Sequence, residues 1–345
     1  MRSNARTPVV RLVCALALLP ALAGAAAGQG VEEFYRNRQL RLIVGFPPGN
    51  DYDLGARLLV KYLPKYLPGR PAIIVQNLPQ AASIVAANFL YAQAPRDGTV
   101  WATFSRNLVN EALTGQANVE IDPRRLNWLG ATSLPVRVCV RWFTAPVKTP
   151  ADLFDREFIV GAAGAGSSLA ILPTVLNNVL GTKFRIVQGY QGQGDTMLAV
   201  ERGELQGACA SYGQFRAYEQ QIRDGKLAFL LRAEEAPIPE LPDLPSIFDF
   251  AKTDEQRALM RFVFSSTEFG RPYAFPPQVP KERVAAMRKA IAEAAQDPEL
   301  RAEAAAIKMD MTYTPPERLE QLVDKLYATP PSVIETVKKL LPNVQ

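Results

Sequence analysis

The sequence predicts an α/β protein of two lobes, each a mainly parallel sheet flanked by helices, with a ligand cleft between the lobes. Three observations carry this. At 345 residues the chain exceeds what a single hydrophobic core usually holds. Short apolar runs alternate with segments of helical spacing, the order that builds parallel sheets. That alternation occurs twice, on either side of a long extended stretch over 125–143.

Gln39 to Phe46 (QLRLIVGF) reads as the first strand, ended by Pro47-Pro48-Gly49. Leu54, Leu58, Leu59 and Leu63 then fall on one face of a helix, with Asp51 or Asp53 as its N-cap. Ala72 to Val75 is a second strand, Ala81 to Ala94 an apolar helix stopped by Pro95-Arg96-Asp97-Gly98, and Thr99 to Phe104 a third strand. Arg125 to Phe143 is a candidate crossover. Beyond it, Thr149 caps a helix with Pro150 at its first position. Phe158 to Ala162, Phe184 to Val187 and Leu205 to Ala210 follow as strands. Between them lie helices over Leu169–Leu180, which contains Pro173, and Asp195–Arg202, ended by Gly203. Leu227 to Leu231 is a return strand. From Pro237 a proline-rich loop packs over the surface, and Arg261 to Phe275 reads as extended chain with turns. Helices over Pro280–Gln296, Pro298–Ile307, Pro315–Tyr327 and Pro331–Leu341 close the chain. The expected division is 1–27 as a leader, 28–136 and 232–345 as the two parts of lobe one, and 137–231 as lobe two.

Arg2, Arg6 and Arg11 precede an apolar run from Leu12 to Ala23, and Ala25-Ala26-Ala27 offers a small-residue cleavage site. This is the pattern of a secretory signal peptide, so a periplasmic protein is expected. Cleavage near Ala27 removes three arginines and no acids, which takes the net charge from +5 to about +2. No basic stretch with interleaved aromatics marks a nucleic-acid footprint. Cleavage also removes Cys14 and leaves Cys139 and Cys209. In an oxidising compartment these two can pair. Each also sits in a strand-like apolar run, where a buried free thiol is the plainer reading, and the sequence leaves both open.

The chain contains no histidine. That removes Ser-His and Cys-His nucleophile pairs, histidine bases and histidine-rich metal sites together. No cofactor and no metal is expected, and an enzyme is disfavoured. Two loops instead share one design: a strand, a glycine-containing turn, then a helix N-terminus. They are Gly45 to Asp53 (GFPPGNDYD) and Gly161 to Ser168 (GAAGAGSS). Small residues there let backbone N–H groups approach an anion, which the helix dipole favours. Glycine in such turns is equally explained by backbone geometry alone.

The order of motifs resembles the Bug (TctC-like) receptors of tripartite tricarboxylate transporters, periplasmic binding proteins of the type II fold. The resemblance rests on RLIVGFPPGNDYDLGARLL (Arg41 to Leu59), APRDGTVWATF (Ala94 to Phe104), VKTPADL (Val147 to Leu153), the GAAGAGSS loop and GYQGQGDTMLAVERGELQGACASY (Gly189 to Tyr212). It implies a ligand carboxylate gripped by loops of both lobes. Carried over, the contacts are Phe46, Pro48, Gly49, Asn50 and Asp53 from lobe one. From lobe two they are Ala165, Gly166, Ser167 and Ser168, with Tyr190 and Gly192 beside them. Ser105, Arg106 and Asn107 join the expected site because they follow the third strand, where ligands collect. An arginine there can pair a carboxylate through both of its forks. The chain departs from the family pattern at Asn50, which stands where a second glycine is usual.

The function expected is that of an extracytoplasmic receptor, working as a monomer, that hands a small carboxylate solute to membrane transporter subunits. Two alternatives are an exported histidine-free hydrolase using a serine of the 164–168 loop and a ligand sensor not coupled to transport.

Overall fold

The computed structural model describes residues 30–116, 118–134, 136–164, 167–235, 237–238 and 240–340. The leader expected over 1–27 lies outside the described residues. Among the described residues, ten strands form two five-stranded sheets. The first holds β1 (Gln39–Val44), β2 (Ala72–Asn77), β3 (Val100–Thr103), β4 (Asn127–Ala131) and β10 (Pro272–Phe275) in the order β2-β1-β3-β10-β4. The second holds β5 (Arg137–Trp142), β6 (Phe158–Ala162), β7 (Phe184–Gln188), β8 (Gly207–Ser211) and β9 (Leu227–Arg232) in the order β7-β6-β8-β5-β9.

Both sheets follow one plan. β1 runs parallel to β2 and β3, and β6 runs parallel to β7 and β8. The fourth position is reversed in each: β10 is antiparallel to β3 and β4, and β5 to β8 and β9. The chain leaves the first sheet after β4, builds the whole of the second, and returns through β10. Central strands are continuous apolar runs because helices cover both faces. All four residues of β3 are buried, whereas edge strand β2 alternates.

Reversed strands change where chain segments begin. A parallel strand brings its carboxyl end to the cleft side of its sheet, and a reversed strand brings its amino end there instead. Segments following β1, β3 and β4, the end of β8, and the starts of β5 and β10 therefore gather in one region.

Three sequence expectations are corrected. Arg261 to Phe275 is not extended: a helix spans Asp254–Phe269, and only Pro272–Phe275 is strand. Thr253 caps that helix in a reciprocal box with Gln256, and Leu259, Met260, Phe262 and Phe264 bury its apolar face. Its aromatic and β-branched content imitates a strand, but the cap and the core decide. The helix expected from Ala81 starts only at Ile84, because Ala81, Ala82 and Ser83 all take positive φ. Gly45 explains the close fit there, since a Cβ on it would stand 2.4 Å from the Ser83 Cβ. The helix after β1 is capped by Asn50 rather than by Asp51 or Asp53.

Cys139 and Cys209 face each other across β5 and β8 and are joined as a disulfide, with their Cα atoms 4.0 Å apart. Both are buried. Adjacent antiparallel strands supply the proximity that sequence alone left open. Among the described residues no helix is long and apolar enough to cross a membrane.

Candidate functional site

A polar cavity of about 220 Å³ opens where the two sheets meet. Its wall includes Asp51 and Tyr52 from the helix after β1, Arg106 from the turn after β3, and Ser133 beyond β4. Arg137 opens β5, Ala210 and Ser211 end β8, and Gly270 and Arg271 precede β10. Gln214 completes the lining.

The three arginines differ in how far the protein satisfies them. Arg271 is buried, and its Nη atoms donate to the carbonyls of Asp51 (3.3 Å), Thr132 (3.1 Å) and Asp310. Its Nε is buried without a partner. Arg137 Nη1 is likewise buried and unpartnered. Burial first, and then the like charge of Arg106, push the Arg137 guanidinium down to about 10, so it stays protonated at neutral pH. Among the described lining residues the one carboxylate is Asp51, which is exposed. A cavity with three guanidinium groups and one exposed acid is a site short of negative charge.

The wall is held by main-chain contacts. Arg106 N–H donates to the Tyr52 hydroxyl at 3.2 Å, and that hydroxyl donates to the Gly270 carbonyl at 3.3 Å. Burial raises the Tyr52 pKa, so the phenol keeps its proton and can make both contacts. Phe46 stacks on the Tyr52 ring at 4.2 Å. Gly270 has φ +54° and ψ −124°, and a Cβ on it would lie 1.7 Å from the Ser133 carbonyl oxygen. No side chain fits at that position.

Among the sequence-predicted residues, the structure brings Arg106 into this cavity. Pro48, Gly49 and Asn50 form an exposed turn whose polar groups are taken up locally. Gly49 N–H donates to Asp53 Oδ2 at 2.9 Å, and Tyr52 N–H donates to Asn50 Oδ1 at 2.7 Å. Asn50 is thus a helix cap, and its side chain is spent on the first turn of the helix. Asp53 is 1% exposed and also accepts from Arg57 at 2.9 Å and from Asn77 at 2.8 Å. Burial alone would raise its carboxyl, but these hydrogen bonds outweigh it and hold the group below the usual range. Ser105 spends its Oγ on Asn107 N–H, and Asn107 is exposed.

In the second loop, Ala165 and Gly166 and the side chain of Ser168 lie outside the described residues. Ser167 sits at the N-cap of the helix Ser168–Val175 with its Oγ buried and without a hydrogen-bond partner. Tyr190 N–H donates to the Ala162 carbonyl at 3.3 Å, and its ring covers Gly161. Gly192 precedes the helix Gln193–Glu201 in an extended conformation open to any residue. Among these described residues, Ser167, Tyr190 and Gly192 do not line the arginine cavity.

Arg137 and Arg271 were not legible as site residues in the sequence. A signal existed for both: Arg137 is the first cation of the strand-like run VRVCVRW, which also holds Arg141, and Arg271 is the lone cation of FGRPYAF. Ligand sites are expected at the carboxyl ends of parallel strands, and these arginines stand at the starts of reversed ones.

With the strand order 2-1-3-n-4 in the first sheet, its counterpart in the second and a polar cavity between them, comparison with solved structures decides the architecture. A TctC solute-binding protein from Polaromonas superposes with a TM-score of 0.68 at 20% identity, covering 89% of this chain and 99% of that one. The fold is that of a two-lobed periplasmic binding protein. MatC from Rhodopseudomonas palustris, solved with bound malate, shares this binding-protein fold at a TM-score of 0.52 and 18% identity, over 88% of this chain and 99% of its own. In sequence, the chain is 23% identical over 257 residues to the UPF0065 protein in gbd 5'region of Cupriavidus necator, spanning 70% of this chain and 72% of that protein. No protein-family model matches. The cavity lies at the junction of the two lobes of that fold, lined by segments from both sheets.

Proposed function

We propose that this protein is an exported, non-catalytic receptor that captures a small organic acid in the periplasm and presents it to the subunits of a tripartite membrane transporter. The observation that carries the proposal is that Arg106, Arg137 and Arg271 line one small cavity, with Arg137 Nη1 and Arg271 Nε buried and without hydrogen-bond partners. Likeness to TctC and Bug proteins, and the malate bound to MatC, support a carboxylate as the ligand class. Lobe one comprises 28–136 and 232–345, and lobe two 137–231, with bending at the two chain crossings.

Magnitudes favour arginines over a backbone cradle. Micromolar affinity needs about 8 kcal/mol. One exposed helix N-terminus supplies about 0.3–1 kcal/mol, whereas a hydrogen bond to a charged group supplies about 1.5–3 kcal/mol. Three guanidinium contacts give about 4.5–9 kcal/mol, which reaches the micromolar requirement at its upper end.

A thermal-shift screen against mono-, di- and tricarboxylates and aromatic acids tests this. An acid at 100 times its dissociation constant adds about 2.7 kcal/mol, which raises the melting temperature by about 5 °C or more for lobes of this size. A melting temperature that no organic acid moves sinks the proposal.

A further inference from the structure

Glu234 lies just beyond β9 and reaches the first residue of β5. Its Oε1 accepts the main-chain N–H of Arg137 at 2.9 Å. Its Oε2 is buried and has no hydrogen-bond partner, and neither has the Nη1 of Arg137. A carboxylate and a guanidinium thus sit on neighbouring ground, each with one polar atom left unsatisfied. The main-chain N–H groups of Arg137 and of Glu234 itself do most to favour the Glu234 charge, and the Arg137 guanidinium adds to them. Glu234 is in turn the carboxylate that offsets the burial of Arg137.

The groups around Glu234 sharpen this. Arg137 faces it from β5, and Arg106 in turn faces Arg137 across the cavity. Glu268, on the helix Asp254–Phe269, adds a like charge and is itself held by Arg318. The adjacent Glu235 is paired with Arg261 at 2.6 Å and leaves no cation for its neighbour. Ser246 donates its hydroxyl to the Glu234 main-chain carbonyl and not to the carboxyl. Among the described residues, Arg137 is therefore the cation placed to stabilise Glu234 as an anion.

A ligand anion in the cavity competes for that same guanidinium. Once Arg137 Nη1 is committed to ligand, an ionised Glu234 would stand beside two negative groups, the ligand and Glu268, with Oε2 still lacking a donor. Accepting a proton from solvent on Oε2 neutralises the carboxyl while Oε1 continues to accept the Arg137 N–H.

We propose that the arginine cavity takes up its anion together with one proton, which Glu234 accepts. The proposal rests on the reading of the cavity as an anion site and adds what accompanies the anion. Burial already pushes the Glu234 carboxyl up to about 7, which places the exchange in the neutral range. It makes the receptor tighter in mildly acidic surroundings and selective for anions that hold their charge there.

Sulfate and oxalate are suitable probes because both remain dianions from pH 6 to pH 8. Calorimetric titration at pH 7 in two buffers of different ionisation enthalpy counts protons directly and needs no variant. The expected result is net proton uptake on binding, with a dissociation constant about tenfold weaker at pH 8 than at pH 6 for one linked proton. Glu234→Gln, which keeps the Oε1 acceptor and cannot titrate, should bind without proton uptake and with the same affinity at both pH values. Binding by the unaltered protein with no proton uptake and no pH dependence overturns the proposal while leaving the anion site intact. A pH slope that persists in Glu234→Gln overturns it equally. If neither dianion binds at any pH, the anion site itself fails, and the proposal with it.

Discussion

Arg137 and Arg106 carry like charges that the fold brings close together, a cost that Glu234 behind Arg137 offsets in part and that an anionic ligand would relieve. Truncating one member of a buried charge pair usually costs about 2–5 kcal/mol of binding. Arg137→Gln is therefore expected to weaken binding of the acid found by thermal shift about thirtyfold or more by calorimetry. At pH 6 the melting temperature of the unliganded protein should change little. The substitution removes repulsion from Arg106, and Glu234, with its carboxyl raised to about 7, is mostly protonated there. A large loss of unliganded stability with unchanged affinity would mean that Arg137 serves the fold and not the ligand. Arg271 is a poorer probe. Its hydrogen bonds to three carbonyls tie the helix after β1, the segment after β4 and the 310–311 turn together.

At the scale of elements, the disulfide sets the register between β5 and β8. Cys139 stands opposite Cys209, and two residues along the same face Arg137 stands opposite Ser211. The covalent pair thus lies next to the residue pair that enters the cavity. It joins residues 70 apart in sequence, a loop for which chain entropy gives about 4 kcal/mol. Replacing both cysteines by alanine should lower the unfolding free energy by about 2–5 kcal/mol in a denaturant titration. An unchanged midpoint would show that the ladder alone holds the strands. The helix Asp254–Phe269 shows the reverse relation between sequence and element. Its capping box was legible at Thr253 and Gln256, yet aromatic residues masked the helical period.

For the whole molecule, groups pushed in opposite directions define a window of stability. Desolvation alone would raise the Asp53 and Asp310 carboxyls, but hydrogen bonds hold both below the usual range. Their contribution is present above the ordinary carboxylate range and is lost as pH falls through their lowered values. Burial raises Glu111 from 4.5 to about 7, and Glu234 from 4.5 to about 7. Folding therefore favours their protonated forms. Stability from this source is complete below about 4.5 and declines as pH rises through about 7. Melting temperature should accordingly peak in mildly acid solution and fall toward pH 8. Glu111 has Oε2 buried without a partner, so Glu111→Gln should gain about 1–3 kcal/mol at pH 8 and nothing near pH 4. A melting curve insensitive to pH between 5 and 8 would contradict this.

The amino-acid sequence by itself determined the two-lobed α/β plan, because strand and helix periods and glycine-proline punctuation are local properties written in each segment. It also marked Arg106, which follows a parallel strand. It did not reveal the cavity as a cluster of arginines. Arg106, Arg137 and Arg271 are separated by long stretches of chain, and only the two reversed strands, β5 and β10, turn their amino ends toward the cleft. The pairing of Cys139 with Cys209 and the engagement of Asp53 with Arg57 and Asn77 were likewise decided in three dimensions. Burial and partner choice are collective. A carboxylate or a guanidinium becomes a cap, a brace or a ligand group according to what the rest of the chain leaves beside it.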